Sequence, residues 1–130
     1  MPDAVIIDGL RTAVTKATKG GFRFTRSDDL AIRVIKALLQ KYPHLDLKRI
    51  DDVIVGNAVP EAEQGLQIGR MIALEAVGIH CPGMTVNRYC ASGLETIAIA
   101  TAKIRSGQAH CIIAGGIFRN KGGVVDTDWS

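Results

Sequence analysis

Hydrophobic and polar positions along the chain alternate between two kinds of pattern, which predict strands and helices in turn. Short runs rich in isoleucine and valine predict buried strands, and they cover residues 4–10, 52–56, 84–87 and 111–114. Apolar side chains at helical spacing predict three amphipathic helices, which begin near residues 27, 68 and 91 and end near Pro43, Gly78 and Gly107. Residues 11–27 are mostly polar, which predicts a loop there.

Local signals mark the ends of the predicted helices. Ser27 is predicted to be the N-cap of the first helix, because its side-chain oxygen can accept a hydrogen bond from the first turn. Asp28 and Asp29 follow it, and carboxylates are favourable at the positive end of a helix dipole. Gly107 is predicted to cap the third helix at its carboxyl end.

The alternation of strands and helices predicts an α/β domain. Continuous apolar strands joined through helices are typical of a mostly parallel sheet that is covered by helices on both faces. The length of 130 residues suits a single domain. The last stretch, residues 117–130, shows no clear periodicity and is predicted to be a divergent tail.

Composition excludes several classes of protein. Apolar residues make up 47% of the chain, which is too many for a disordered protein. The net charge of +3 comes without a basic stripe, so a nucleic-acid partner is not expected. No apolar run approaches the roughly 20 residues that span a bilayer, and the N-terminus lacks the basic region of a signal peptide. We therefore expect a cytoplasmic protein without membrane contact.

The three cysteines do not form a recognisable metal or disulfide pattern. Cys81, Cys90 and Cys111 are widely spaced, which argues against zinc ligation and against a disulfide scaffold. Reduced thiols are expected, with no bound metal. Gly115 and Gly116 could allow a ligand to approach the backbone, but no nucleotide fingerprint or P-loop lysine accompanies them, so no resident cofactor is predicted.

Cys90 is the strongest candidate for chemistry. The pattern places it between a strand and the third helix, where unpaired backbone N–H groups and the helix dipole favour a thiolate. Small neighbours, from Ala91 to Gly93, would let a substrate come close, and an N–H group there could donate to an oxyanion. The alternative is that Cys90 is a small core residue, which is the commoner role of a lone cysteine.

The other candidates have stronger structural explanations. A buried, inert thiol is the expected role of Cys81 and Cys111. The three histidines, at positions 44, 80 and 110, lie in predicted loops or at strand edges, and none is paired with Cys90 in the sequence. Arg11 and Thr12 could position a substrate but fit a loop start better. Asp51 and Asp52 fit the turn at the start of a strand better than a site with two catalytic carboxylates.

The stretch from Asn87 to Leu94 resembles the active-site cysteine signature of the thiolases, Asn-Arg-x-Cys-(Ala/Ser)-Ser-Gly. Further segments resemble thiolase positions in the same order, over about residues 4–116: Arg11-Thr12, Gly20-Gly21-Phe22, Thr25, Asp28-Asp29-Leu30, Asp51-Asp52-Val53, Val55-Gly56-Asn57, Gln64-Gly65 and Ala114-Gly115-Gly116. Several ordered motifs are far more specific than one cysteine.

This resemblance implies a fold and a domain division. The expected fold is a thiolase-like three-layer α/β/α N-terminal half with a mostly parallel mixed sheet, truncated before its last strand. Residues 1–116 would form a partial thiolase N-terminal domain and residues 117–130 a divergent tail, for which we hypothesise a shifted reading frame or a truncated gene end. The family's strand order would place the strand at 111–114 between the first strand and an absent fifth.

The resemblance also implies an activity. In thiolases the cysteine that matches Cys90 accepts an acyl group from a CoA thioester, so CoA is a substrate and not a bound cofactor. Degradative members cleave 3-ketoacyl-CoA to acetyl-CoA and a shortened acyl-CoA in fatty acid β-oxidation, and biosynthetic members condense two acetyl-CoA units. The family's catalytic histidine and second cysteine have no counterpart here, so we expect the chain alone to be inactive. A related ketosynthase-type enzyme fits the Asn87-Arg88-Tyr89-Cys90 context less well.

Truncation has consequences for partners. The strand at 111–114 would leave unpaired backbone groups at a sheet edge, which favours aggregation. We therefore expect poor solubility or self-association, with a homo-oligomer or a thiolase subunit as the partner. The alternative to an enzyme is a non-catalytic remnant or interaction module that pairs with a full-length thiolase through this edge.

Overall fold

Strands and helices alternate along the chain in the computed structural model, which describes residues 1–16 and 19–118. The helices are α1 (Ser27–Gln40), α2 (Ile68–Ala76) and α3 (Ser92–Arg105), and the strands are β1 (Asp52–Asn57), β2 (Gly83–Val86) and β3 (Ile112–Ile117). Two short 3-10 helices, Leu47–Arg49 and Ala62–Gln64, lie in the connections. The tail predicted at 117–130 lies outside the described residues from position 119 onward.

The three strands form a parallel sheet in the order β2-β1-β3. In register, Val53 of the central strand lies opposite Gly83 of β2 and Ile113 of β3. A helix lies in each connection between successive strands, α2 between β1 and β2 and α3 between β2 and β3. The predicted α/β class is therefore confirmed. The central position of β1 explains why all six of its residues are buried.

Helices cover both faces of the sheet, as predicted. Val53 and Val55 belong to one buried cluster with side chains of α1 and α2, among them Ile35 and Ile72. Because strand side chains alternate between faces, Asp52, Ile54 and Gly56 lie on the other face. Contacts of Asp52 with Lys103 and of Gly56 with Ser92 place α3 over that face.

The predicted strand at residues 4–10 is wrong. The segment has no regular secondary structure, and Val5, Ile6 and Ile7 are 73%, 81% and 77% exposed. Its side-chain anchor is Asp8, whose carboxylate binds Lys41 Nζ at 2.6 Å and accepts from the Tyr42 hydroxyl at 2.7 Å.

A groove explains why this segment joins no sheet. The α1–β3 groove, a cavity of about 350 Å³, is lined by residues 8–12, by one face of α1 and by the whole of β3. A strand needs a neighbour at about 5 Å, and the groove separates the segment from the free edge of β3. The strand at 111–114 is expected from the family's strand order to lie between the strand at residues 4–10 and an absent fifth strand. The first of these two neighbours is wrong, since among the described residues β3 pairs with β1 (Asp52–Asn57) alone.

Three smaller predictions are corrected or confirmed at element ends. Ser27 is the first residue of α1 and is buried, while Arg26 holds the N-cap position and binds Asp28 through two hydrogen bonds of 3.0 and 2.8 Å. Gly107 follows the end of α3 with a φ of +79°, as its predicted capping role requires. Gly115 lies inside β3 and not after it, because the strand continues to Ile117.

Among the described residues, none of the helices combines the length and the apolar character that crossing a membrane requires.

Candidate active site at the β2–α3 turn

Cys90 lies in a tight turn between β2 and α3. The strand ends at Val86 and the helix begins at Ser92, so the cysteine stands two residues before the first helical residue. Its side chain is exposed. The predicted place of Cys90, open to solvent at the amino end of the third helix, is therefore what the structure has, and its role as nucleophile stays a prediction.

The turn has an unusual backbone at the residue before Cys90. Tyr89 has a φ of +47°, and this left-handed backbone conformation is unfavourable for residues other than glycine. The Asn87 side chain accepts a hydrogen bond from the Tyr89 N–H group at 2.9 Å. Ser92 Oγ accepts from the Arg88 N–H group at 2.9 Å and donates to the Tyr89 carbonyl at 2.6 Å. These bonds define the direction in which the chain leaves the strand.

Small residues let the helix start directly against the sheet. A Cβ atom on Gly56 would lie 2.7 Å from the carbonyl carbon of Ser92, which is too close for any side chain. A Cβ atom on Gly116 would lie 3.5 Å from the Cα atom of Gly93. The amino end of α3 is thereby held at the carboxyl ends of β1 and β3, where parallel sheets commonly carry their sites.

The amino end of α3 offers hydrogen-bond donors. The backbone N–H groups of Gly93 and Leu94 have no acceptor among the described residues, as expected for the first turn of a helix. Arg88 Nε lies 3.1 Å from a carboxylate oxygen of Glu95, so this pair brackets the turn with one positive and one negative charge. Together with the helix dipole, the open N–H groups favour an anion next to Cys90.

The other two cysteines lie in different surroundings. Cys81 is completely buried, and this burial raises the pKa of its thiol to about 11. Cys111 is half-buried, and burial raises the pKa of its thiol as well. Among the three, Cys90 alone is exposed. The burial of Cys81 confirms its expected place in the core, Cys111 is less enclosed than expected, and the inert role of both thiols stays a prediction.

The histidines lie at the opposite edge of the sheet from Cys90. His80 precedes β2 and contacts the Leu47 carbonyl oxygen at 2.9 Å, and the His110 N–H group, just before β3, donates to Asp51 at 2.6 Å. His44 stands in the connection that leads into β1. The strands are parallel, and Cys90 follows the carboxyl end of β2, whereas these histidines precede the amino ends of the strands. The length of β2, about 13 Å, therefore separates them from Cys90. None of these imidazoles is placed to act as a base for Cys90.

The remaining candidates have structural roles. Asp51 accepts hydrogen bonds from the N–H groups of His110 and Cys111, and the bond from His110 is the main cause that lowers the pKa of its carboxyl. Asp52 binds Lys103 Nζ at 2.5 Å under α3. This is the strand-entry role expected for the pair. Arg11 and Thr12 line the α1–β3 groove and are not part of the turn.

The residues that sequence reasoning missed are those that shape the turn. Ser92 and Gly56 carry a readable signal, since a small residue at a strand end and a hydroxyl two residues after the cysteine suit close packing. The left-handed Tyr89 has no such signal, because residues other than glycine seldom adopt that conformation. Within residues 1–16 and 19–118, no cluster of three His, Cys, Asp or Glu side chains could hold a metal ion.

Comparison with known proteins gives one consistent result. The family model described as "Thiolase, N-terminal domain" matches residues 4–118. The 3-ketoacyl-CoA thiolase of Bacillus subtilis is 47% identical over 117 residues, which are 89% of this chain and 30% of that protein. The beta-ketoadipyl-CoA thiolase of Acinetobacter baylyi is 42% identical over 118 residues, 90% of this chain and 29% of that protein.

More distant relatives show the same coverage. The 3-ketoacyl-CoA thiolase of an Escherichia coli O139:H28 strain is 36% identical over 118 residues, again 90% of this chain and 30% of that protein. The chain thus spans a little under one third of the length of these curated relatives.

Proposed function

Because the chain belongs to the thiolase family through its N-terminal domain, we propose that it takes part in acyl transfer from CoA thioesters, with Cys90 as the acyl-accepting nucleophile. The observation that carries this proposal is the position of Cys90, exposed at the amino end of α3 beside the open N–H groups of Gly93 and Leu94. An exposed thiol beside hydrogen-bond donors is the arrangement that nucleophilic catalysis on a carbonyl requires.

The reaction we propose is thiolytic cleavage of a 3-ketoacyl-CoA. The Cys90 sulfur attacks the 3-keto carbon, and a bond forms between sulfur and that carbon. The bond between carbons 2 and 3 then breaks, and its electron pair stays on carbon 2, which takes up a proton to give acetyl-CoA. The shortened acyl group remains on Cys90 as a thioester until the thiol of a second CoA removes it. In this last transfer one thioester replaces another, so the transfer of the acyl group to CoA is readily reversible.

We propose that the chain alone does not turn over. The cleavage needs a base that takes the thiol proton and an acid that protonates carbon 2, and each described histidine stands at the far edge of the sheet from Cys90. The curated relatives are more than three times as long as the matched segment. A partner that supplies the remaining part, as a second thiolase subunit or within a homo-oligomer, would complete the site.

The substrate class follows the relatives' names as a proposal. The 3-ketoacyl-CoA thiolase among them supports cleavage of 3-ketoacyl-CoA in fatty acid β-oxidation, and the beta-ketoadipyl-CoA thiolase supports a dicarboxylic substrate of the same chemistry. The biosynthetic condensation of two acetyl-CoA units is the reverse direction of that chemistry. The free thiols at positions 81, 90 and 111 support a cytoplasmic location, where cysteines stay reduced.

A non-catalytic interaction module is the second candidate. The observation in its favour is the free edge of β3, which faces the α1–β3 groove and lacks a strand partner among the described residues. An unpaired edge is a template for another chain. In this case the protein would bind a full-length thiolase without any reaction at Cys90.

Acyl labelling separates the two candidates. The protein is incubated with acetyl-CoA, and the modified residue is located by peptide mass spectrometry. Acyl transfer predicts one acetyl group on Cys90 in the wild type and in a Cys111→Ser control, and none in Cys90→Ala. An unlabelled wild type that binds a full-length thiolase supports the interaction module and contradicts acyl transfer.

A further inference from the structure

We propose that Ser92 is the positioning residue for Cys90: its hydroxyl holds the left-handed turn that presents the thiol at the amino end of α3. The inference rests on the proposed function, because it assigns Ser92 a part in the reaction of Cys90. Ser92 does not contact the reacting atoms in this scheme. It acts through the backbone of the turn.

One hydroxyl fixes two peptide groups that precede the cysteine. Ser92 is 4% exposed, and its Oγ accepts from the Arg88 N–H group at 2.9 Å and donates to the Tyr89 carbonyl at 2.6 Å. The Tyr89 carbonyl belongs to the same planar peptide group as the N–H group of Cys90. Fixing this oxygen therefore fixes the orientation of the Cys90 N–H group and the direction in which the Cys90 side chain leaves the backbone.

The backbone of the turn requires such support. Tyr89 has a φ of +47°, and a non-glycine residue keeps this conformation only where its surroundings hold it. Asn87 supplies one hydrogen bond from the strand side, to the Tyr89 N–H group. Ser92 supplies the bond from the helix side. Without its hydroxyl, the Tyr89 carbonyl keeps the backbone N–H group of Ser92 as a donor at 3.0 Å but loses the side-chain donor, and the Arg88 N–H group loses its acceptor, so the left-handed turn is held less firmly.

Packing fixes the Ser92 side chain itself. Gly56 lies so close that a Cβ atom on it would be 2.9 Å from the Cβ atom of Ser92. Thr96, one turn further along α3, is also buried and donates its hydroxyl hydrogen bond to the Gly93 carbonyl at 2.6 Å. Thr96 thus has the burial and the bond of Ser92 but not its contact with the turn, which makes it a matched control.

Acetylation of Cys90 by p-nitrophenyl acetate tests the proposal without any need for CoA binding. The rate of acetyl attachment to Cys90 is measured by peptide mass spectrometry on the full chain. We expect Ser92→Ala to be slower by about tenfold, because one buried hydrogen bond that orients the turn is lost. Thr96→Val should stay within about twofold of the wild type, because its bond lies inside the helix.

A rescue variant separates positioning from mere stability. Glycine adopts a positive φ without strain, so Tyr89→Gly combined with Ser92→Ala should recover most of the lost rate, while the loss of a buried hydroxyl remains. Tyr89→Val should be slow with Ser92 intact, because a β-branched residue disfavours the left-handed turn. Tyr89 is 67% exposed, so this second variant tests the turn even where Ser92→Ala does not fold.

The outcomes keep the two proposals apart. Equal rates for Ser92→Ala and the wild type, an absent rescue by Tyr89→Gly, or a wild type that the ester does not acetylate would each overturn the role of Ser92. A parallel incubation with acetyl-CoA tests the proposed function. Ser92-dependent reaction with the ester but no transfer from acetyl-CoA refutes the CoA chemistry alone and leaves the positioning role in place.

Discussion

Gly56 on β1 and Ser92 on α3 lie in such close contact that a Cβ atom added to the glycine would be 2.7 Å from the Ser92 carbonyl carbon. This contact brings the first turn of α3 directly onto the carboxyl end of the central strand. The position of Cys90 depends on it, because the cysteine stands two residues before Ser92. A residue of the sheet that carries no chemistry thus determines where the exposed thiol stands.

Gly56→Ala is therefore expected to lower the free energy of unfolding by about 1–3 kcal/mol, the usual cost of overpacking a tight interior site. The matched control is Gly115→Ala, on the neighbouring strand and opposite Val55, the residue before Gly56, where an added Cβ atom meets nothing within 4 Å. Urea denaturation followed by circular dichroism measures both variants. Equal stability of the two would show that the close contact is absent in solution.

Thiol reactivity should separate the three cysteines in the order 90, 111 and 81. Only the thiolate attacks an alkylating reagent, and burial raises the pKa of Cys81 to about 11. At neutral pH we expect iodoacetamide to modify Cys90 faster than Cys81 by at least about a hundredfold, and Cys81 only after unfolding. Peptide mass spectrometry over time gives the rates. Early labelling of Cys81 would contradict its burial.

The contacts of Asp8 that hold residues 4–10 should be lost at low pH. The hydrogen bond from Lys41, followed by that from Tyr42, lowers the pKa of the Asp8 carboxyl from 3.8 to about 2. A lowered folded-state pKa means that the contribution is present above pH 3.8 and is lost as the pH falls through about 2. NMR contacts between Asp8 and the Tyr42 ring should therefore persist at pH 5 and fade on acidification to about 2.

The control for this titration is Asp8→Asn, which keeps the size of the side chain and removes its charge. In this variant the contact with Tyr42 should no longer depend on pH over the same range. A wild-type contact that stays unchanged down to the lowest pH would show that the ion pair does not hold the segment.

Self-association should depend on the exposed apolar segment at residues 4–10. Ile6 is 81% exposed and belongs to an apolar segment that is not paired in the sheet, so a charge there should oppose strand pairing between chains. Ile6→Lys is expected to shift the light-scattering mass toward the monomer. Val14→Lys is the control, because Val14 is 80% exposed but lies outside the segment. An equal effect of both variants would indicate a general gain in charge.

The hydrophobic pattern predicts a strand correctly where a neighbouring strand pairs with it in the sheet. Val53 and Val55 sit in a continuous apolar run that another strand flanks on each side, so the sequence pattern and the structure agree there. Residues 4–10 have the same pattern, yet they remain outside the sheet. Periodicity reports that a segment is suited to burial, but it does not report whether a neighbouring strand is available.

The site shows the same division. Cys90 could be located because its residue type, the small residues after it and the start of a helix are all visible in the sequence. Tyr89 could not, because its positive φ arises from bonds to Asn87 and Ser92 that form only in the folded turn. Ser27 was misplaced for a related reason. It is buried as the first residue of α1, and among the described residues its side-chain oxygen has no hydrogen-bond partner with which to cap the helix.

The most direct test of the central claim is the stoichiometry of acetyl-CoA release from a 3-ketoacyl-CoA. We predict that, with no free CoA added, the wild type slowly releases up to one equivalent per chain, with solvent water taking the thiol proton and protonating carbon 2, and keeps the shortened acyl group on Cys90. Cys90→Ala should release none. No acyl group on Cys90, or equal release from Cys90→Ala, would contradict the assignment of this thiol as the acyl acceptor.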